Sequence, residues 1–272
     1  MMEEIMETLP DIQQMPPGVK SDINVVGVKG VGFLFEMTTR DGKTFTTDGE
    51  LSVGCFLGKD RKGVDMSRFV SGLSIVKKFT TRQSYLDFLN MLQDRIPYSE
   101  QFFLKASTRY FMEKKSPVSQ LESYLPIDYK YIIVTNREKV TEYTSVRVPY
   151  LSLCPCSKEI SEVGAHNQRS YCTVVLESSG RIVWIEDIVE IVERHSSSPI
   201  WELLKRVDEK WVTETSYHRP RFVEDMVRLV EKDVKKISSK YWIMVEHEES
   251  IHLHNAFAFS TSATDISFLI NV

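Results

Sequence analysis

The pattern of hydrophobic and polar positions predicts pairs of strands that alternate with pairs of helices. Residues 22–40 are rich in Val, Phe and Thr, and a second extended stretch covers 43–56. Asp41-Gly42 lies between them and suits the positive φ angles of a tight turn, so the two stretches predict a hairpin. Helices are predicted over 66–78 and 81–96, because apolar residues in the second recur at steps of three and four.

The second half of the chain repeats this order. Two further helices are predicted, over 184–194 and from Pro220 onward. The remaining extended segments are predicted at 102–112, 129–135, 144–153, 171–177, 241–245 and 256–270. The order indicates an α+β fold with two ββααββ units, which meet near 135–140. Antiparallel sheets covered by helices on one face would be protected by closing into a barrel, which predicts an oligomer.

We therefore expect three parts: an N-terminal leader over 1–21, a first unit over 22–137 and a second unit over 138–272. The composition, with 42% hydrophobic and 26% charged residues, is that of a globular protein. The N-terminus lacks the basic and apolar regions of a secretory signal, and no apolar run reaches the ~18 residues of a membrane span. Net charge is −4 without blocks of like charge, so neither nucleic acid nor membrane is an expected partner.

Four cysteines are too few for a disulfide scaffold, which favours a reducing, cytoplasmic location. The chemistry is densest over 153–169, where Cys154, Cys156 and His166 lie in one predicted loop. Thiolate and imidazole are ligands of zinc-like metals, and a catalytic site keeps one position open for water. The structural alternative is that both cysteines are small buried side chains and that His166 caps a turn.

Three downstream segments hold further candidates, and each also has an ordinary structural interpretation. The charge run 205–210 is typical of a solvated surface, and the acids within 220–225 are typical of a helix start. The segment 246–254 contains three of the six histidines and could be a polar turn between the last two strands. Spacing alone does not choose among these His and Glu residues. P-loop, dinucleotide-binding, α/β-hydrolase and zincin motifs are absent from the sequence.

Several of these segments together resemble one enzyme family. The runs CPCSKEIS and GAHNQRS, with LLKRVDEKWVTE, PRFVED and ESIH downstream and DMSRFV upstream, closely resemble the type IB GTP cyclohydrolases of bacterial folate biosynthesis. The resemblance extends from about Gly27 to Ala258. It implies a bimodular tunnelling fold, in which two ββααββ units per chain assemble into a homotetrameric barrel.

The resemblance also implies an activity and a set of residue roles. The family converts GTP and water to 7,8-dihydroneopterin triphosphate and formate with a divalent metal, Zn²⁺ or Mn²⁺, with Fe²⁺ as a third candidate; it belongs to the hydrolases acting on cyclic amidines. The implied metal ligands are Cys154, His166, Glu209 and His252. The implied catalytic set is Cys154, Cys156, Glu249 and His252. The implied substrate-binding residue is Glu224, which would hold the guanine edge. A triphosphate also needs cations, and the candidates are Lys158, Arg169, Lys205 and Arg206.

One position departs from the family, because Asp65 stands where the family usually has His. Two other functions remain open on the sequence. A tunnelling-fold nitrile reductase of queuosine biosynthesis would share the anchoring Glu without needing the Cys154 and His166 pair. A non-catalytic oligomer that binds purine or metal would bind GTP without releasing formate. The role of Cys156 and the choice between folate and queuosine as the downstream pathway also stay open.

Overall fold

The computed structural model describes residues 12–136, 138–178 and 180–262. After a short 3-10 turn at Ile12–Gln14, these residues form nine strands and six helices. The strands are β1 (Ile23–Thr38), β2 (Thr44–Leu57), β3 (Lys78–Phe79), β4 (Gln101–Lys115), β5 (Glu122–Asn136), β6 (Val140–Leu153), β7 (Asn167–Glu177), β8 (Tyr241–His247) and β9 (Ala256–Thr261). The helices are α1 (Met66–Val76), α2 (Arg82–Arg95), α3 (Pro155–Ile160), α4 (Ile185–His195), α5 (Arg206–His218) and α6 (Val223–Val234).

All nine strands are hydrogen-bonded in one sheet, in the order β3-β1-β2-β4-β5-β6-β7-β8-β9. The α+β class predicted from the sequence is therefore confirmed. The short strand β3 pairs with β1 in parallel, whereas β6, β7, β8 and β9 form antiparallel pairs. A turn joins β1 and β2 where it was predicted, and the Thr39 N–H donates to the Lys43 carbonyl at 2.9 Å. Of the Asp41-Gly42 pair only Gly42 has a positive φ, 86°, so the predicted pair of positive φ angles is wrong for Asp41.

Contacts divide the chain into two compact units, which do not follow the expected ranges 22–137 and 138–272. The first contains the segment ending at Glu36 together with Asp48–Ala106 and Ile132–Val140. The second contains Met37–Thr47, Ser107–Tyr131 and the segment from Thr141 onward. Strands of 14 to 16 residues explain the difference, because the far ends of β1, β2, β4 and β5 join the unit that contains α4.

The first unit buries one face of α1 and α2. Helix α2 begins where the Thr81 hydroxyl accepts a hydrogen bond from the Ser84 N–H, which satisfies one of the free amides of the first turn. Phe88 and Leu92 on its apolar stripe are buried, and so is Phe69 of α1. These side chains supply the hydrophobic burial that holds both helices in the unit.

In the second unit, α4 and α6 bury the apolar stripes that the sequence predicts for them. Val189 and Val192 of α4 and Met226 and Val230 of α6 are inaccessible to solvent or nearly so. A polar contact joins the two helices at one end, where the His195 Nε2 lies 2.7 Å from the Asp233 Oδ2. The Arg221 N–H donates to the Leu153 carbonyl, which places the start of α6 beside the end of β6, where the candidate site lies.

The structure corrects two element predictions and adds a helix. The segment after Cys154 was expected as a loop and forms helix α3. The charge run 205–210, for which no element was predicted, lies largely on helix α5. The helix expected from Pro220 begins at Val223, because Phe222 is its N-cap. Of the last predicted strand, Ala256–Thr261 is confirmed; residues 263–272 and part of the leader, 1–11, lie outside the described residues.

Candidate functional site

A pocket of about 190 Å³ lies where β6 and β8 end and β7 begins. We call it the strand-end pocket, and it belongs wholly to the second compact unit. Its lining residues are Cys154, Pro155, Gln168, Arg221, Phe222, Val223, Glu224, His247, Glu249 and Ala256. Three residues predicted from the sequence are among them, namely Cys154, Glu224 and Glu249. The pocket therefore collects residues that are up to about a hundred positions apart in the chain.

The sheet brings Cys154 and His166 together. The β6–β7 ladder ends at the pair Leu153 and Asn167, so the next residues outward face each other, and the Cys154 N–H donates to the His166 carbonyl at 3.1 Å. Cys154 is also the N-cap of α3, where its Sγ accepts a hydrogen bond from the Ser157 N–H at 3.4 Å. Pro155 at the first helical position suits this start, because that position needs no amide donor.

His166 is oriented by two neighbouring side chains. Its Nδ1 lies 2.9 Å from the Oε1 of Gln168 and 3.9 Å from the Oε2 of Glu249. If Nδ1 carries the proton and donates to the amide oxygen, Nε2 keeps its lone pair for a ligand. Glu249 reaches this position because the Glu248 N–H donates to the Arg169 carbonyl at 3.0 Å, which continues the β7–β8 ladder by one pair.

Glu224 enters the pocket from a different element. The Arg221 N–H donates to the Leu153 carbonyl at 3.0 Å, which ties the segment before α6 to the end of β6. Glu224 is in the first turn of α6, where the helix dipole favours a carboxylate, and its side chain is exposed. An exposed carboxylate with this placement can accept hydrogen bonds from a ligand without a large desolvation cost.

His247 lines the pocket and was not selected from the sequence. Its side chain is 2% exposed, and its Nε2 lies 2.9 Å from the Tyr150 hydroxyl. Burial lowers the pKa of His247 to about 4, so the imidazole is neutral near pH 7. Burial raises the pKa of Tyr150 well above its usual value, so its hydroxyl stays protonated and can donate to Nε2. The sequence feature that could have identified His247 was the histidine-rich run 246–254, in which His252 was the one histidine selected.

Three predicted metal ligands do not line the pocket, namely His166, Glu209 and His252. His166 lies behind it, in contact with the lining residues Gln168 and Glu249. Glu209 is on the exposed side of α5, whereas the adjacent Asp208 is buried and accepts the backbone N–H groups of Val118 and Ser119 at 2.9 and 2.8 Å. The solvated-surface interpretation of this run is therefore wrong for Asp208. His252 lies in the exposed turn between β8 and β9, where its ring stacks on His254 with centroids 4.9 Å apart.

The remaining predicted residues also lie outside the lining. Cys156 is exposed on α3. Lys158 donates through Nζ to the Tyr217 carbonyl at 2.5 Å and lies over the Tyr217 ring. Arg169 is exposed on β7. Asp65, where the family usually has His, stands at the N-cap of α1, and its Oδ2 is 2.8 Å from the Nε of Arg68.

A metal would find part of a ligand set here. Cys154 and His166 offer the thiolate and imidazole that zinc-like metals bind, and Gln168 orients the imidazole in the way that metal-bound histidines are usually oriented. Among the residues that the structure describes, however, no group of three or more His, Cys, Asp or Glu is arranged to hold a metal ion. In the single chain, two of the expected metal donors, Cys154 and His166, are neighbours, whereas Glu209 and His252 lie elsewhere.

The chain was compared with known proteins. Residues 9–258 match the family model described as Type I GTP cyclohydrolase folE2. The chain belongs to this family. Similar curated proteins are the GTP cyclohydrolases FolE2 of Fervidobacterium nodosum, 39% identical over 93% of this chain and 97% of the relative, and of Thermotoga maritima, 36% identical over 92% and 96%. The sequence-based assignment to the GTP cyclohydrolases is confirmed at this level.

A solved structure has a fold similar to that of this FolE2-family chain. The uricase of Arthrobacter globiformis is similar with a TM-score of 0.51 at 10% identity, covering 94% of this chain and all of that one. At this identity the likeness concerns the fold alone. In the described part of the chain, no helix has both the length and the apolar character needed to cross a membrane.

Proposed function

We propose that this FolE2-family chain is a metal-dependent GTP cyclohydrolase, which converts GTP and water to 7,8-dihydroneopterin triphosphate and formate. The reaction would be the first step of tetrahydrofolate biosynthesis, in the cytoplasm. The observation that carries the proposal is the convergence of Cys154, Glu224 and Glu249 on the strand-end pocket of a chain that matches this family over most of its length.

Substrate recognition is assigned to Glu224. The guanine edge presents two N–H donors, from N1 and the 2-amino group, and one carboxylate can accept both in a bidentate pair. Glu224 is suited to this because it is exposed, lies in the first turn of α6 and lines the same pocket as Cys154. This contact would fix the plane of the base with respect to the thiol and imidazole.

Proton transfer is assigned to Glu249, with His252 as the second predicted group. The Glu249 carboxylate lies 3.9 Å from the His166 Nδ1, and its side chain is 15% exposed. A carboxylate that is largely withdrawn from water in a pocket can take a proton from water and return it to a ring nitrogen as the ring opens. His252 would act from its exposed turn, and Cys156 from α3, once substrate or a neighbouring subunit reaches them.

The metal would be held by Cys154 and His166, with Glu209 and His252 as the further predicted ligands. When bound, Zn²⁺, Mn²⁺ or Fe²⁺ would lower the pKa of a coordinated water from about 15.7 toward 7 and so supply the nucleophile for C8 of guanine. The chain's own part is to hold Cys154 and His166 opposite each other through their backbone hydrogen bond and to keep the His166 ring in one orientation through Gln168. Completing the set requires that His252, or Glu209 on helix α5, approach the pocket.

The size of the pocket favours a site completed by another chain. Its volume of about 190 Å³ is below the ~300–1,000 Å³ that is usual for ligand sites, so the ribose and triphosphate must lie outside it. Lys158 and Arg169 are close in sequence to the lining residues Pro155 and Gln168 and are the proposed triphosphate contacts. Arg169 is exposed, and Lys158 would have to exchange its bond to the Tyr217 carbonyl for one to phosphate. We propose that the chain is a type IB enzyme with the tunnelling fold, built from two ββααββ units. We propose further that four chains form a homotetramer, in which neighbouring subunits complete the sites.

The deciding experiment removes metal from the full chain with a chelator and restores Mn²⁺, Zn²⁺ or Fe²⁺ singly before adding GTP. We expect formate and, after oxidation, pterin fluorescence to appear together and only with metal. Tight binding of GTP without formate would favour a binding protein instead. Consumption of NADPH with a deazaguanine nitrile would favour the nitrile reductase. Either result with folded, metal-loaded oligomer would overturn the proposal.

A further inference from the structure

A second and larger cavity lies in the second compact unit, at the turn between β1 and β2. We call it the hairpin cavity. Its volume is about 820 Å³, within the ~300–1,000 Å³ usual for small-molecule sites. Aromatic side chains form much of its wall, namely Phe45, Tyr110, Phe111 and Tyr124. Phe45 contacts both Tyr110 and Phe111, with ring centroids 5.6 and 6.3 Å apart. Such walls suit a planar ring.

Glu186 contributes a carboxylate to the lining of this cavity. The residue is 8% exposed, and its Oε1 accepts hydrogen bonds from the Arg40 backbone N–H, at 2.8 Å, and from the Tyr110 hydroxyl. Its Oε2 is buried and has no hydrogen-bond partner among the described residues. A buried carboxylate oxygen without a donor costs free energy, and native proteins usually supply a partner. The two contacts to Oε1 hold the group in place. Because Oε2 is closed off from solvent, a donor from a ligand in the cavity reaches it only when a neighbouring side chain of the wall moves aside.

The charges around the cavity select the kind of ligand. Each cation of the lining is already paired: Arg40 with Asp187 and Glu190, and Lys43 with Glu113. Lys115 is paired with Glu122 at 3.1 Å. Because the cations are compensated and Glu186 has a free oxygen, an anionic ligand gains little here. A neutral or positively charged ring with an N–H donor would meet both the carboxylate and the aromatic faces.

The hairpin cavity is separate from the strand-end pocket, since the two share no lining residue. Helix α4 spans the interval between them. Glu186 is in its first turn, and His195 at its last turn accepts through its carbonyl the Nε–H of Arg221, which lines the strand-end pocket, at 2.9 Å. Nine residues of helix correspond to about 14 Å. A ligand in the hairpin cavity would therefore not occupy the site assigned to GTP.

We propose that the hairpin cavity is a second ligand site, which binds a planar aromatic or heteroaromatic amine or amidine through an N–H donated to the Oε2 of Glu186. The ligand is neutral or cationic and carries no phosphate, which distinguishes it from GTP. The aromatic residues Phe111 and Tyr124, 40% and 62% exposed, form the part of the wall that a ligand can reach from solvent.

Benzamidine and benzoate test this, because they are nearly the same size and shape and differ in charge and in N–H donors. The full chain is titrated with each, and binding is followed by saturation-transfer NMR. We expect saturable binding of benzamidine and at least about tenfold weaker binding of benzoate. Glu186→Gln keeps the Oε1 acceptor but replaces the free oxygen by an NH₂ group, so benzamidine affinity should fall by about tenfold or more.

The matched control is Glu214→Gln, which removes an exposed carboxylate on α5 that is not part of the cavity lining and should leave benzamidine binding unchanged. Glu224→Gln should also leave it unchanged, because that residue lines the other pocket. If Glu186→Gln does not fold, Phe111→Leu and Tyr124→Leu should each weaken binding several-fold. Absence of saturable binding, equal binding of benzoate, or loss of binding in Glu224→Gln instead of Glu186→Gln would overturn the proposal. These readouts require no GTP turnover, so they are independent of the proposed activity.

Discussion

The strand-end pocket contains the reactive side chains, whereas the hairpin cavity has the larger volume. The strand-end pocket holds a thiol, an imidazole and two carboxylates in about 190 Å³. The hairpin cavity is about 820 Å³, and no Cys or His occurs among the described residues that line it. The larger cavity therefore lacks the side chains that the proposed metal-dependent reaction requires. The proposed function requires that the smaller pocket be extended before it can take a nucleotide.

The two regions also differ in how their side chains are held. Backbone hydrogen bonds fix the strand-end pocket, through the pair Leu153 and Asn167, the pair Ser170 and His247, and the bond from Arg221 to Leu153. Exposed ion pairs surround the hairpin cavity, such as Arg40 with Asp187 at 2.6 Å. We therefore expect large effects from substitutions in the first region and small ones at the edge of the second.

Loss of the thiol should have the largest effect. In Cys154→Ser the hydroxyl can still cap α3, so the fold is retained while the thiolate is lost. If the metal supplies several kcal/mol of the rate enhancement, turnover should fall by about 10³-fold or more, and the bound metal should be lost. Metal content and formate release check this after gel filtration has shown an unchanged oligomer. A metal-loaded, fully active variant would contradict the assignment of Cys154.

The buried imidazole gives the next largest effect, on stability. The pKa of His247 falls from 6.5 in the unfolded chain to about 4 in the fold. The unfolded state therefore binds the proton more tightly, and stability is lost as the pH falls from 6.5 toward 4. The difference corresponds to about 3 kcal/mol of unfolding free energy. His247→Gln should lack this part of the pH dependence in urea titrations of the metal-free chain.

The matched control for this measurement is His254→Gln, which removes an imidazole from the exposed turn between β8 and β9. Its pH dependence should follow that of the unaltered chain. Equal pH dependence of stability in His247→Gln and in the unaltered chain between pH 6.5 and 4 would show that the fold does not keep His247 neutral, which would remove the neutral imidazole from the strand-end pocket.

Glu224→Gln should have an intermediate effect, confined to substrate. Removing the charge from the proposed guanine contact weakens one or two charge-assisted hydrogen bonds, so kcat/KM for GTP should fall by about 10- to 100-fold. Metal content should be unchanged. Asp225→Asn is the control: this neighbouring carboxylate accepts the Phe222 N–H at 3.1 Å and does not line the pocket. Equal kcat/KM losses in both variants would indicate damage to the start of α6 rather than loss of a substrate contact.

The parts of the site that could be predicted from sequence are those close together in the chain or carried by distinctive motifs. Cys154 and His166 were recognised because they share one dense segment, and the ladder of β6 with β7 does bring them face to face. Glu224 and Glu249 required the family resemblance, since an acid at a helix start and an acid in a turn are ordinary features. Alternating and helical hydrophobic patterns sufficed for most strands and helices because tertiary burial follows them.

What could not be predicted depends on partners far along the chain. Asp208 looked like part of a solvated charge run, but its carboxylate accepts amides from the turn after β4, about ninety positions earlier. His247 is distinguished from the exposed His252 only by the Tyr150 hydroxyl and by burial in the sheet. Local pattern contains no information on either contact. The same limit explains why the far ends of the long strands joined the second compact unit.

The smallest effect is expected at the edge of the hairpin cavity. Glu190 pairs with Arg40 at 2.5 Å, but both side chains are more than 40% exposed, and Arg40 keeps Asp187 as a second partner. Exposed pairs of this kind contribute about 0.2–1 kcal/mol, so Glu190→Gln should lower the unfolding free energy by less than about 1 kcal/mol. The loss should shrink further in high salt, because screening weakens exposed pairs. Urea titrations at low and high salt measure it. A loss of several kcal/mol, insensitive to salt, would show that the wall of the cavity is held as firmly as the strand-end pocket, and the contrast between the two regions would fail.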